Sequence, residues 1–176
     1  MKTLKTLYLV RHAKSNWDDP GLPDRERPLA ARGRKAAAIL AGHIERSGVS
    51  PALVLCSPAR RTMDTLRLIS GSFREPVEIL VEDELYGAPM GGLLRRLRKV
   101  PATTPSVMVI GHNPGIHELA LALARSVDDL KQLKGKFPTG AMVTLAVPGA
   151  WKDLGDEAAD LREFALPREL SLPGDG

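Results

Sequence analysis

The amino-acid sequence predicts an α/β protein, a three-layer α/β/α sandwich around a mostly parallel central sheet. Short runs rich in Leu, Val and Ile recur at residues 7–10, 52–56, 77–81, 106–110 and 141–147. The first, second and fourth are apolar at nearly every position, as strands covered on both faces must be. Segments of helical periodicity separate them, and such alternation builds parallel sheets through crossover connections.

The elements follow in order. Residues 7–10 form the first strand and run straight into Arg11 and His12. Residues 16–24 are rich in Pro, Gly and Asp and read as a loop. Over residues 31–46, Ala36, Ile39, Leu40, His43 and Ile44 fall at helical spacing, and Ser47-Gly48 ends that helix. His43 lies on its apolar stripe and is read as structural. Residues 52–56 are the second strand. Ser57 then reads as an N-cap with Pro58 in the first helical position, opening a helix to about Ile69. Residues 77–81 form a third strand with the acidic exit Glu82-Asp83-Glu84, and residues 89–99 a helix with a cationic last turn. The fourth strand, 106–110, leads into Gly111-His112-Asn113-Pro114-Gly115, where Asn113 can cap a helix over 116–125. Strands over 141–147 and 161–165 are joined by Pro148-Gly149 and a polar run, so this pair is expected to be antiparallel. Residues 1–166 are expected to form one domain and 167–176 a frayed tail.

Composition narrows the function classes. A chain of 176 residues with 43% hydrophobic content suits one domain with a sizeable core. The formal charge is +4, but only 4% of residues are aromatic and no basic stripe interleaves with them, which argues against nucleic-acid binding. No apolar run approaches the roughly 20 residues of a membrane span. Lys2 and Lys5 precede an apolar stretch too short for a secretory signal. The single cysteine, Cys56, forbids an intrachain disulfide and fits a reducing compartment, so a cytoplasmic location is expected.

The chemistry sits where strands end. Parallel sheets bind ligands beyond the carboxyl ends of their strands. Arg11-His12, Ser57 to Arg61, Glu82-Asp83-Glu84 and Gly111-His112-Asn113 each follow a strand, so parallel strands would bring them to one edge. Phosphoryl transfer needs positioned donors around three equatorial oxygens. Arg11 and Arg61 supply planar forks and His112 a further donor. Ser15, Asn16 and Asn113 are candidates for substrate binding. His12 is the candidate nucleophile, provided that its second nitrogen donates to an acceptor such as a backbone carbonyl. Residues 56–62 resemble the Cys-x5-Arg loop of cysteine phosphatases but miss it. The position after five intervening residues is Thr62, and the loop lacks glycine.

These residues resemble the histidine phosphatase superfamily. Arg11-His12-Ala13 is similar to its Arg-His-Gly signature, Ser57-Pro58-Ala59-Arg60-Arg61 to its Ser-Pro-x-x-Arg segment, and Gly111-His112-Asn113 to its second-histidine segment. Arg27-Pro28-Leu29 and Glu84-Leu85-Tyr86 resemble the small SixA-type phosphohistidine phosphatases. Ala13 departs from the signature glycine, and Ala30 stands where many relatives carry Thr or Asn. The resemblance implies a phosphoglycerate-mutase-like fold and a covalent phosphohistidine on His12. It also implies a pocket of Arg11, Arg61 and His112, with no metal and no cofactor. By position, Glu84 is the candidate proton donor. An alkoxide leaving group needs one, whereas the imidazole of a phosphohistidine can leave neutral. The expected substrate is a phosphorylated protein. A small-molecule phosphomonoesterase and a non-catalytic phosphoprotein-binding regulator are the alternatives.

Overall fold

A computed structural model describes residues 3–125 and 130–170. Six strands form one sheet: β1 (Leu4–Arg11), β2 (Leu53–Cys56), β3 (Glu78–Val81), β4 (Ser106–Gly111), β5 (Met142–Pro148) and β6 (Asp160–Ala165). Their spatial order is β3-β2-β4-β1-β5-β6. The first four strands run parallel, β5 is antiparallel to β1, and β6 is antiparallel to β5. The helices are α1 (Ala31–Ser47), α2 (Arg60–Ser70), α3 (Met90–Arg98), α4 (Gly115–Leu123) and α5 (Leu130–Gly135). None of the described helices is long and apolar enough to cross a membrane.

Alternating strand residues face opposite sides of the sheet, and here both sides are covered. On one, Leu40 and Ile44 of α1 and Leu66 and Ile69 of α2 pack on Val10, Val54, Cys56, Met108 and Ile110. On the other, Leu93 and Leu97 of α3 and Ile116, Leu119 and Leu123 of α4 pack on Leu7, Leu9, Leu55, Val107 and Val109. Each such fully buried side chain contributes about 1.5–3 kcal/mol of transfer free energy. This double coverage is why the central strands carry no polar face.

The expected elements are all present, with local differences. Ser57 does not cap α2: the helix begins at Arg60 with Ala59 at its cap position. The Ser57 hydroxyl is engaged by His112 instead. Asn113 likewise does not cap α4, which begins at Gly115 behind Pro114, because its side-chain amide donates to the Phe137 carbonyl. The short α5 carries no strong sequence signal and was not expected. The expected frayed tail does not begin at 167: Pro167–Glu169 form a 3-10 turn, and Leu170 packs against the core on the α1 and α2 side. Residues 171–176 lie outside the described residues.

Hydrogen bonding between neighbouring chain segments continues past the strand ends, and this sets the functional edge. Arg11 pairs with Gly111 across β1 and β4. Beyond them, the His12 N–H donates to the Gly111 carbonyl at 3.1 Å, the Ser57 N–H to Ile110 at 3.0 Å, and the Glu82 N–H to Cys56 at 3.1 Å. The antiparallel β5 enters from the opposite direction. The N–H of Gly140, which precedes it, bonds the carbonyls of both Arg11 and His12. Gly140 has φ 77°, a left-handed conformation that glycine adopts without strain.

Candidate active site

His12 is the best-defined group at this edge. It is 8% exposed, and its Nδ1 lies 2.7 Å from the Ala13 carbonyl. A carbonyl only accepts, so Nδ1 carries the proton and Nε2 carries a free lone pair. Burial lowers the His12 pKa from 6.5 to about 3. The bond to Ala13 opposes that shift, while His112, Arg61 and Arg11 reinforce it. The ring is therefore neutral at physiological pH. Its backbone is held too: the Ala13 N–H donates to Thr65 Oγ1, whose hydroxyl donates to the Arg61 carbonyl. The loop that carries His12 is thus tied to the first turns of α2.

Three further residues surround His12. The His112 ring centroid lies 5.3 Å from that of His12. His112 Nδ1 is 3.4 Å from Arg61 Nη2, and its Nε2 is 2.7 Å from Ser57 Oγ. A guanidinium only donates, so Nδ1 accepts and Nε2–H donates to Ser57. Burial, with help from Arg61, lowers His112 to about 4. Arg11 donates from Nη1 to the Phe137 carbonyl at 2.9 Å, while its buried Nε–H has no protein partner among the described residues. Burial and the Arg61 charge pull Arg11 below its usual value. Two guanidinium groups beside two neutral imidazoles outweigh the one carboxylate that pairs with Arg61, and the net positive charge suits an anion.

The sequence reading missed Asp24 and Tyr86. Asp24 binds Arg61 twice, through its backbone carbonyl to Nη1 at 2.8 Å and its carboxylate to Nη2 at 3.0 Å. The Tyr86 hydroxyl donates to the same carboxylate oxygen at 2.5 Å. The Tyr86 ring stands edge-on to His112, with centroids 5.6 Å apart. The Tyr86 hydroxyl and the Arg61 guanidinium together hold the Asp24 carboxyl below the usual carboxylate range. Asp24 sits in a Pro- and Asp-rich loop with no local signal of function; only its short distance before Arg27-Pro28-Leu29 hinted at it.

The other expected residues are distributed as follows. Ser15 is buried and its hydroxyl accepts the Trp17 indole N–H. Asn16 uses its side-chain oxygen to accept the Asp18 N–H. Asn113 shares the Phe137 carbonyl with Arg11 and so braces that arginine's acceptor. The structure does not bring Glu84 into the cluster. A 3-10 turn over Asp83–Leu85 buries Leu85, which leaves Glu84 exposed. Glu84 lines a hollow of about 290 Å³ with Arg95, Arg96 and Lys99, and no hydrogen bond or ion pair joins it to His12, Arg11, Arg61 or His112. Arg60 points away to Asp64 at 3.0 Å. Burial pushes the Cys56 thiol up to about 12, so it is not a thiolate nucleophile.

Known proteins share this arrangement of chain. Residues 7–103 match the family model of the histidine phosphatase superfamily, branch 1. That segment includes His12 and Arg61; His112 lies beyond it. An uncharacterized protein of Mycobacterium tuberculosis is 34% identical over 163 residues, which are 90% of this chain and 100% of that protein. A structure from Nakamurella multipartitia, assigned as the phosphohistidine phosphatase SixA, is 29% identical with a TM-score of 0.82, over 93% of this chain and 96% of that one. The protein histidine phosphatase SixA complexed with tungstate shares the fold at 21% identity and a TM-score of 0.77, over 93% and 98% of the two chains. By family match and by these relatives, the chain belongs to branch 1 of the histidine phosphatase superfamily.

Proposed function

We propose that this hydrolase removes the phosphoryl group from a phosphohistidine on a protein, through a covalent phosphoenzyme at His12. The observation that supports this most is the fixed tautomer of His12: Nδ1 donates to Ala13 and leaves Nε2 unprotonated beside Arg11, Arg61 and His112. In the first step Nε2 attacks phosphorus, and the bond between phosphorus and the substrate imidazole breaks. The electron pair goes to that imidazole nitrogen, which leaves neutral when its other nitrogen carries a proton. In the second step water attacks phosphorus, the bond to Nε2 breaks, and phosphate and neutral His12 return. Arg11 and Arg61 stabilise the equatorial oxygens in both steps.

The choice of an N–P substrate rests on the lack of a placed acid among the described residues. Glu84 stands outside the cluster, and the carboxyl that does reach it, Asp24, is held ionised. A phosphomonoester would lack a proton for its alkoxide. The test is turnover of a phosphohistidine-bearing protein beside sugar and aryl phosphates, with the phosphoenzyme trapped by rapid quench. Acid-labile, base-stable phosphate on the wild type, lost in H12A, is expected. Normal turnover by H12A, or preferred hydrolysis of sugar phosphates, would overturn the reading.

A further inference from the structure

The cations on one side of the anion pocket are already matched by carboxylates. Arg61 is paired with Asp24, Arg25 with Asp83 at 2.7 Å, and Arg60 with Asp64. Arg25, Arg60 and the Glu26 carboxylate line a hollow of about 590 Å³ next to Asp24 in the chain, with Leu22, Pro58 and Met63 among its apolar walls. Arg11 differs, because its partner is a neutral backbone carbonyl. Among the described residues, the pocket thus keeps one arginine without a carboxylate partner. The adjoining hollow offers apolar surface, arginines whose charge is already committed, and the exposed Glu26 carboxylate. The Asp24 side chain stands at the boundary between them, 46% exposed and fixed by two donors.

We propose that Asp24 is a specificity-determining residue: its carboxylate, clamped at the pocket rim by Arg61 and Tyr86, selects phosphoryl donors whose leaving group is neutral or cationic, such as an imidazole, against donors whose leaving group carries a carboxylate or a second phosphate. This rests on the reading of the pocket as a phosphoryl site. A fixed anion on the same guanidinium that faces the phosphoryl group repels a second anion on the departing group. It also accepts an N–H from a departing imidazole, which no alkoxide can offer.

The test uses two phosphonates that bind without turnover, phenylphosphonate and para-carboxyphenylphosphonate, measured by calorimetry on the wild type, D24N and Y86F. The wild type should bind the carboxylated ligand more weakly. D24N should narrow that preference about fivefold, the factor for one unit charge roughly 6 Å away in a partly screened rim. Y86F keeps the charge and should keep the preference. In the wild type, added salt should also narrow it, an outcome independent of how D24N folds. If D24N weakens both ligands alike, Asp24 only holds Arg61 and the inference falls. A Y86F ratio shifted as far as that of D24N would overturn it as well. A ratio that moves as expected in a protein that fails to hydrolyse phosphohistidine would keep the inference and sink the proposed reaction instead.

Discussion

At the scale of single residues, adjacent arginines have opposite duties. Arg61 is 9% exposed and reaches both Asp24 and His112, whereas the Arg60 side chain is half exposed and pairs with Asp64 one turn along α2. Asp64 is buried and keeps Arg67 as a second partner when Arg60 is removed, so the Arg60 pair bears on the helix and not on the pocket. A preorganised donor to a transition-state oxygen bears directly on the barrier. R61A should therefore lower kcat/KM by about 10²–10³-fold, while R60A should change it less than about threefold. Steady-state kinetics on a phosphohistidine protein reads both. A larger loss in R60A would mean that the Ser-Pro-x-x-Arg segment has been aligned one residue out of register.

At the scale of elements, the loop after His12 is seated on the first turn of α1. The Ala30 N–H donates to the Lys14 carbonyl at 2.9 Å, and a Cβ placed on Gly33 would lie only 2.1 Å from that same oxygen. Gly33 is required for this approach. In an ordinary helix interior, Gly→Ala stabilises by about 0.5–1 kcal/mol. Here G33A should destabilise by about 1–3 kcal/mol, as overpacking does, because backbone rather than a flexible side chain must move. Urea unfolding measures the sign. A stabilised G33A would show that the loop can shift freely. The same contact predicts a fall in kcat, since Lys14 lies two residues from His12. Gly115 makes a comparable approach to the Ala88 carbonyl at the start of α4, close in the chain to Tyr86.

At the scale of the whole molecule, the site is in tension with stability at acid pH. His12 and His112 are buried neutral, with pKa values near 3 and 4 against 6.5 when solvated. Below pH 6.5 the unfolded chain binds protons at both rings and the folded chain does not. Stability therefore falls as pH drops from about 6.5 toward 4, on the order of 3–6 kcal/mol across the pair. This is a large share of what a domain of this size holds. Denaturant unfolding at pH 7 and pH 4.5 should show the loss, and H112N should lose less than the wild type. A wild-type stability that stays level over that range would contradict the burial of neutral imidazoles. An anion in the pocket favours the protonated form of His112, so added inorganic phosphate should soften the acid limb.

Much of this architecture was legible in the chain, because strands covered on both faces must be apolar throughout and their polar exits then stand out. Arg11-His12, Ser57 to Arg61 and Gly111-His112 could be assigned to strand ends, and a parallel sheet places such ends on one edge. Helix starts were harder to read. Ser57 and Asn113 have cap-forming side chains, yet both are drawn to the site instead, Ser57 by His112 and Asn113 by the Phe137 carbonyl. Local propensity cannot register that competition, since the partners lie 55 and 24 residues away.

By itself, the sequence determined the α/β class, the nucleophile candidate and the pair of arginine and histidine motifs, all of which follow from residue type and position along a strand. Only the tertiary structure decided which carboxylate meets the pocket. Asp24 reaches Arg61 across 37 residues and Tyr86 reaches Asp24 across 62, while Glu84, better marked in the sequence, is turned outward by the burial of Leu85. The physical reason is that an exposed loop carboxylate has no periodicity or cap to betray it. Its position is set by the few long-range hydrogen bonds that the folded chain makes available.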